Sequence, residues 1–303
     1  MRILVTGSAG TLGTRLVTEL RARGHEVTGA DLRHWPGEIR TDIAEWRQVK
    51  KAFLSSRAEV CYHLAGEFGR INGDHYWEQL WRTNCIGTKN IIEACRHYHA
   101  RLIFASSSEA YGDIAERVQD PLQELDLVDL VPSFYNEYAL TKWTNEQQIK
   151  IAQRNHGLKA TILRFFNVYG LGEYYSDYRS VVCLFIYRAM KGLPITVYSE
   201  TRRSFLYIDD WARAVANVLD VPDDTFNIAS TRSVTMNKLM HMVGNVVGEV
   251  LVNVSWKDTE LHNVRDKVAN VDKAARLLGL NDSVSLEEGI KRTVEWMRRT
   301  YEI

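Results

Sequence analysis

Tyr138 and Lys142 stand four residues apart in YALTK, a spacing that puts both side chains on one face of a helix. A phenol with its ordinary pKa of about 10 is a poor base near neutrality. A lysine ammonium and a nicotinamide cation beside it would both favour the phenolate. Each such charge at ~4 Å is worth a few kcal/mol at an effective dielectric near 20, enough to bring the phenol down toward neutral pH and make Tyr138 a base. The same spacing also suits an ordinary amphipathic helix, so the pair needs a context. A second polar cluster, Ser106, Ser107, Ser108 and Glu109 ahead of Ala110, Tyr111 and Gly112, closes an apolar run. At the carboxyl end of a strand in an α/β sheet it would face a ligand crevice, and it also reads as a serine-rich turn.

Gly7, Gly10 and Gly13 supply that context as GxxGxxG. The run MRILVTG before them reads as a strand buried on both faces, and 11–23 carries Leu12, Leu16, Val17 and Leu20 at helical spacing. HEVTGAD then reads as a second strand ending in Asp31, eighteen residues after Gly13. Strand, glycine turn, helix and strand form a βαβ unit whose helix N-terminus offers unpaired N–H groups to a diphosphate. A carboxylate at Asp31 can accept the adenosine ribose hydroxyls and would repel a 2′-phosphate, favouring NAD over NADP, while Arg33 works against that preference. A tight structural turn followed by a surface aspartate is the alternative reading.

The alternation continues with strands at 59–64, 100–106 and 159–166 and helices at 84–97 and 138–155, the pattern of a doubly wound, Rossmann-type parallel sheet in an α/β protein. Past Gly170 the pattern loosens, with helices near 181–191 and 285–299, the latter capped by Ser285. The expected domains are an NAD-binding domain over 1–170, with 204–230 returning to it. A smaller, interlocked C-terminal substrate lobe covers 171–203 and 231–303. A chain of 303 residues, 45% hydrophobic and 25% charged, has the material for such a core. Lys+Arg 38 against Asp+Glu 38 gives no net charge, which weighs against nucleic acid as a partner. Cys61, Cys85, Cys95 and Cys183 show no CxxC pair and read as reduced, buried thiols. His97 and His99 are two apart and diverge on a helix, so no metal is expected. No run reaches the ~18 apolar residues of a membrane span, and no signal peptide opens the sequence, so the expected location is the cytoplasm.

TGSAGTLG at 6–13, Asp31, HLAG at 63–66, NCIGT at 84–88, SSSEAYG at 106–112, YALTK at 138–142, RFFNVYG at 164–170 and RRSFLYIDD at 202–210 follow the order seen in extended short-chain dehydrogenases. From Arg2 to about Leu280 the chain resembles the NAD-dependent nucleotide-sugar epimerase/dehydratase family. The resemblance implies a cofactor site of Gly7, Gly10, Thr11, Leu12, Gly13, Asp31, Asp42, Ile43, Leu64, Ala65 and Gly66, with Tyr138 and Lys142 also touching NAD. It makes Tyr138 the catalytic base, Lys142 its electrostatic partner, and Ser107 and Ser108 contacts of the sugar. Asn167, Arg203 and Arg265 match residues that bind the nucleotide diphosphate, a task suited to the planar arginine fork.

The implied reaction starts with Tyr138 taking the sugar 4-hydroxyl proton as hydride leaves C4 for NAD, giving a 4-keto sugar. Return of hydride to the other face gives epimerisation. Elimination managed by Glu109 would make the enzyme a 4,6-dehydratase instead, with decarboxylation, net 4-oxidation and a non-catalytic NAD-binding regulator behind. A homodimer built from the helices at 84–98 and 138–155 is also implied. Departures from the family pattern are Ser8 in the glycine turn, YGLG at 169–172, RSF at 203–205 and the aromatic stretch EFGRINGDHYWEQLW after HLAG, which reads as a lid, an interface or a specificity loop.

Overall fold

The run Arg2–Thr6 buries every side chain after Arg2, as a central strand must when both faces of its sheet are covered (β1). A computed structural model describes residues 1–33, 36–118, 121–248, 253–258, 260 and 263–302. Its contacts divide the chain into two units. The first is Met1–Gly112, Asn136–Phe165 and Ala212–Phe226; the second is Asp113–Tyr135, Phe166–Trp211 and Asn227–Ile303.

In the first unit β1 is joined by β2 (Glu26–Asp31), β3 (Ile39–Arg40), β4 (Val60–His63), β5 (Arg101–Ser107) and β6 (Ala160–Phe165). With the edge strand Thr225–Ile228 beside β6, the sheet order is edge, β6, β5, β4, β1, β2, β3. The pairings from β3 through β6 are all parallel, which makes this the expected doubly wound Rossmann-type sheet. Parallel strands bring their carboxyl ends to one edge, so Thr6, Asp31, His63 and Ser107 share it.

Helix α1 (Thr11–Ala22) buries Gly13, Leu16, Val17 and Leu20 at the spacing the sequence shows. Helices α2 (Trp46–Ser56) and α5 (Thr88–Tyr98) and the long helix Glu137–His156 close over a core that includes Val49, Phe53, Ile92, Phe104 and Ile149. The long helix begins at Asn136, whose Oδ1 accepts the Ala139 N–H at 2.8 Å, and ends at Gly157 with φ +66°. One expectation needs correction: the helix at 84–97 is not uniform. A π-helical turn over Arg82–Gly87 precedes α5. The buried Asn84 in that turn is tied by its side chain to Glu67 and Thr141, contacts that helical periodicity cannot reveal.

Behind the carboxyl edge lies a buried ion pair. Arg164 of β6 donates to both oxygens of Glu146, which stands one turn beyond Lys142 on the long helix, at 3.0 and 2.8 Å. Arg164 also donates to the Tyr111 hydroxyl, and Ser106 of β5 donates to Glu146. Arg164 is 1% and Glu146 0% exposed. Burial works against the guanidinium, but the Glu146 carboxylate and Tyr111 outweigh it and hold Arg164 firmly protonated.

The second unit holds 113–135, which differs from the expected 1–170 domain, and the chain returns to the first unit only over 212–226. The cause is backbone pairing. Leu122 donates to Val268 O, accepts from the Asn270 N–H, and is followed by Glu124, whose carboxylate accepts from the Asn227 N–H. Further on, Tyr175 stacks on Tyr187 at 3.8 Å and its N–H donates to the Tyr301 hydroxyl, which orders the loosely patterned segment after Gly170. Among the described residues no helix is long and apolar enough to cross a membrane.

Truncating one member of the buried pair strands its partner's charge, so Arg164→Met should cost about 3–5 kcal/mol of unfolding free energy in urea titration. A loss under about 1 kcal/mol, the range of exposed pairs, would show that the network does not hold the helix to the sheet.

Candidate active site

The glycine turn is formed by close backbone approach. Gly7 has φ +74°, and a Cβ on it would come within 2.7 Å of Ala65 N. A Cβ on Gly13 would collide with Gly7 O and stand 2.8 Å from Ser8 Cα. The first turn of α1, with Thr11 and Leu12 half-buried, is therefore pressed onto the bend, and the segment Leu64, Ala65, Gly66 lies against it. A backbone cradle without β-carbons at a helix N-terminus is the shape a pyrophosphate requires. Asp31, 8% exposed, accepts the Ala9 N–H at 3.0 Å and the Arg33 N–H at 2.9 Å. Asp42 and Ile43 follow β3; Asp42 accepts the Ala44 N–H, and Ile43 packs against Gly87. The structure thus brings all the expected cofactor residues of the turn, β2 and β4 to the carboxyl edge of the sheet.

Ser107 ends β5 at the same edge and caps a short 3-10 turn, its Oγ accepting the Glu109 N–H at 3.2 Å. The Ser107 hydroxyl lies near enough to the Tyr138 phenol to favour its ionised form, and Ser108, the next residue, is buried. Lys142 Nζ donates to Ala105 O at 2.8 Å and stands 5.7 Å from the centre of the Tyr138 ring.

The electrostatics depart from the sequence expectation. Loss of water around the phenol pushes Tyr138 up to about 12, against the lowering effect of Ser107 and with help from the nearby Glu109 charge. Burial pushes the Lys142 ammonium down to about 8, with Cys85 and Glu146 opposing. The lysine one turn away therefore does not make the phenol acidic in the chain by itself. Its ammonium is spent on a backbone carbonyl, and burial is the largest influence on both groups.

The model of a family described as the NAD dependent epimerase/dehydratase family matches residues 3–229. The chain belongs to this family. It is 28% identical over 321 residues to a UDP-N-acetyl-alpha-D-glucosaminuronate decarboxylase of Bacillus cytotoxicus, spanning 98% of each protein. Among solved structures it is similar to a UDP-glucose 4-epimerase of Thermotoga maritima with UDP-glucose, at TM-score 0.89 and 29% identity, covering 99% of this chain and 100% of that one. A UDP-glucose 4-epimerase of Thermus thermophilus in complex with NAD gives TM-score 0.88 and 28% identity, covering 98% and 99%.

As a member of the NAD dependent epimerase/dehydratase family the chain uses NAD, and the turn described above fits that cofactor. Three features of the site carry no assigned role in the sequence reading. His63 bridges Thr6 and Thr88 through its two ring nitrogens at 2.7 and 3.1 Å, and burial, aided by the Lys142 charge, pushes it down to about 3, so it is a neutral strut. Asn84 binds both backbone groups of Glu67 and the Thr141 hydroxyl, fixing the chain after HLAG to the residue before Lys142. Arg164, the first residue of RFFNVYG, and Glu146 form the buried pair described above. The aromatic stretch after HLAG forms two short helices, α3 (Arg70–His75) and α4 (Trp77–Trp81). Trp81 donates to Glu137 at 2.6 Å, and a Cβ on Gly73 would stand 3.6 Å from Tyr138 Cβ, so this stretch leans on the turn that bears Tyr138.

Asn167, Arg203 and Arg265 come together in the second unit, around the strand Arg202–Ser204. Asn167 donates to Ser204 O at 3.1 Å. Arg203, 7% exposed, spends its guanidinium on the carbonyls of Arg202, Val264 and Arg265 and on Asn263 Oδ1, clamping the segment that carries Arg265. The Arg265 side chain is 60% exposed and pairs with Glu200 at 3.1 Å.

The lowered Lys142 pKa has a stability consequence. Below pH 8 the folded and unfolded states both carry the charge, and the fold bears its full desolvation cost. Between about 8 and 10.5 the folded ammonium deprotonates first, the unfolded chain binds more protons, and stability rises by roughly 3 kcal/mol. We expect the wild type to gain that much over Lys142→Met across this range in urea titrations, and a constant difference would contradict the burial of a charged Lys142.

Proposed function

We propose that the chain is a nucleotide-sugar 4-epimerase working through transient oxidation at C4 of the sugar. The observation that carries this reading is the pairing of the Tyr138 ring with the Lys142 ammonium, 5.7 Å apart and fixed to Ala105 O of β5, at the sheet edge that also bears Ser107 and the glycine turn. NAD, held by Gly7, Gly10, Thr11, Leu12, Gly13, Asp31, Asp42, Ile43 and the 64–66 segment, supplies the hydride acceptor and donor when bound. Tyr138, as the phenolate, takes the proton of the sugar 4-hydroxyl, and Ser107, at the end of β5 close to the phenol, orients that hydroxyl. Lys142, fixed by Ala105, keeps a positive charge beside the ring. The chain by itself favours the neutral phenol, which is the form that gives a proton back to the 4-keto oxygen when the sugar is reduced. Asn167, Arg203 and Arg265 are the proposed contacts of the nucleotide diphosphate; of these, the exposed Arg265 is best placed to exchange its Glu200 partner for phosphate.

A second reading rests on Glu109, half-buried and close enough for its charge to act on Tyr138. A carboxylate there could remove the C5 proton of a 4-keto sugar and make the enzyme a 4,6-dehydratase. Decarboxylation, the activity named for the Bacillus cytotoxicus relative, and net 4-oxidation follow. The homodimer implied by the resemblance would cover Ile86 and Ile151, which are 55% and 48% exposed.

Incubation with UDP-, GDP-, dTDP- and CDP-sugars, with products identified by mass and NMR, separates these readings. Epimerisation leaves the mass unchanged and gives a new sugar spectrum; loss of water marks a dehydratase and loss of carbon dioxide from a uronate marks a decarboxylase. We expect Tyr138→Phe to lower turnover about 10²–10⁴-fold while NAD binding persists. A chain that binds NAD but turns over none of these sugars, with or without that substitution, is a regulator.

A further inference from the structure

The glycine turn carries a second carboxylate that the cofactor fingerprint does not contain. Gly37, with φ +81°, reverses the chain ahead of β3, and the next residue, Glu38, reaches back across β2. Its Oε2 accepts the hydroxyl of Ser8 at 2.6 Å, inside the turn itself. Gly29 makes room for this: a Cβ there would stand 2.5 Å from Glu38 Oε1 and 2.8 Å from Ser8 Oγ. Gly29 lies two residues before Asp31, on the same face of β2. Ser8 is fully buried, at 0% exposure, and Glu38 is half-buried, so the contact is part of the fold and not a passing surface pair.

The charges around this edge give the contact its meaning. Asp31 is paired with one cation and has a second, exposed one on the neighbouring strand. Arg33 stands 3.6 Å from its Oδ1 and donates to Ala9 O at 2.6 Å, and Arg40 is its register partner in β3. Without Glu38, Asp31, Arg33 and Arg40 would leave this edge net positive, the condition under which an arginine beside the turn accommodates a 2′-phosphate. Glu38 brings the four charges back to balance and sets its own anion against Ser8.

We propose that Glu38 is a second acidic determinant of dinucleotide choice, excluding a cofactor that carries a 2′-phosphate at a turn where Arg33 and Arg40 offset Asp31. The inference rests on NAD occupying the glycine turn. It makes Ser8 and Gly29 parts of one device, in which glycine admits the carboxylate and serine anchors it.

The test is calorimetric titration of nucleotide-free protein with NAD and with NADP, read as the ratio of the two Kd values. We expect Glu38→Gln to bind NAD within about 3-fold of the wild type and to gain roughly 10-fold in affinity for NADP, the size of one removed carboxylate–phosphate repulsion. Ser8→Gly, which loses the hydrogen bond and keeps the charge, should leave the NADP:NAD ratio within about 3-fold of the wild type. The double variant Asp31→Asn/Glu38→Gln should prefer NADP. An unchanged ratio in Glu38→Gln, or an equal loss of both nucleotides, overturns the proposal while leaving the NAD reading intact. If Glu38→Gln does not fold, the ratio in Glu38→Ala decides by the same criterion. A wild type that binds neither nucleotide sinks the NAD reading together with the proposal.

Discussion

The ion pair between Arg164 and Glu146 is the interaction on which the rest of the site depends. Burying a guanidinium and a carboxylate costs several kcal/mol each, and only good geometry with every remaining hydrogen-bonding group engaged offsets that. Here the pair is bidentate, Ser106 donates to the carboxylate, and Tyr111 accepts from the guanidinium with its ring 4.7 Å from the cation. The network joins β5, β6, the turn after β5 and the long helix. An apolar pair of similar volume would pack as well, but it would not fix the helix in rotation and translation against β5. That register is what sets Tyr138, two turns before Glu146, beside Ser107.

Because the helix is held this way, its other polar residues enter the interior too. Burial pushes the Tyr138 phenol up and the Lys142 ammonium down, so each moves toward its neutral form. Lys142 answers by bonding Ala105 O, and the neutral His63 ties the end of β4 to Thr6 and Thr88 without adding charge. Among the described residues, the anion whose effect reaches Tyr138 is that of Glu109, which favours the protonated phenol. The site is therefore built from a few groups that desolvation has tuned, resting on one strong pair that desolvation cannot neutralise.

Much of this was legible in the sequence where the signal is local. The glycine spacing, the apolar period of 11–23, the Asp31 that closes β2 and the Ser285 cap all depend on neighbours within a turn or a strand, and the structure places them accordingly. Features made by distant pairings were not legible. The π-helical turn at 82–87 exists because Asn84 bonds residues 17 positions back and 57 ahead. Residues 113–135 join the second unit through Leu122 and Glu124, whose partners lie more than 100 positions away. The raised Tyr138 pKa of the chain alone was not legible, because spacing shows the lysine but not the loss of water around both groups. Glu38 follows a turn and reads as a loop residue until Gly29 and Ser8 are seen to receive it.

The central claim, that the buried pair holds Tyr138 in a desolvated position against Ser107, is tested most directly by carbon-13 NMR of tyrosine labelled at Cζ. The Tyr138 resonance is assigned by its loss in Tyr138→Phe, and its titration is followed in nucleotide-free protein. The phenol should stay protonated to about pH 12 in the wild type and fall toward its ordinary value of about 10 in Glu146→Gln, as the helix loosens from β5. A wild-type phenol titrating at or below 10, or one unmoved by Glu146→Gln, would contradict the account.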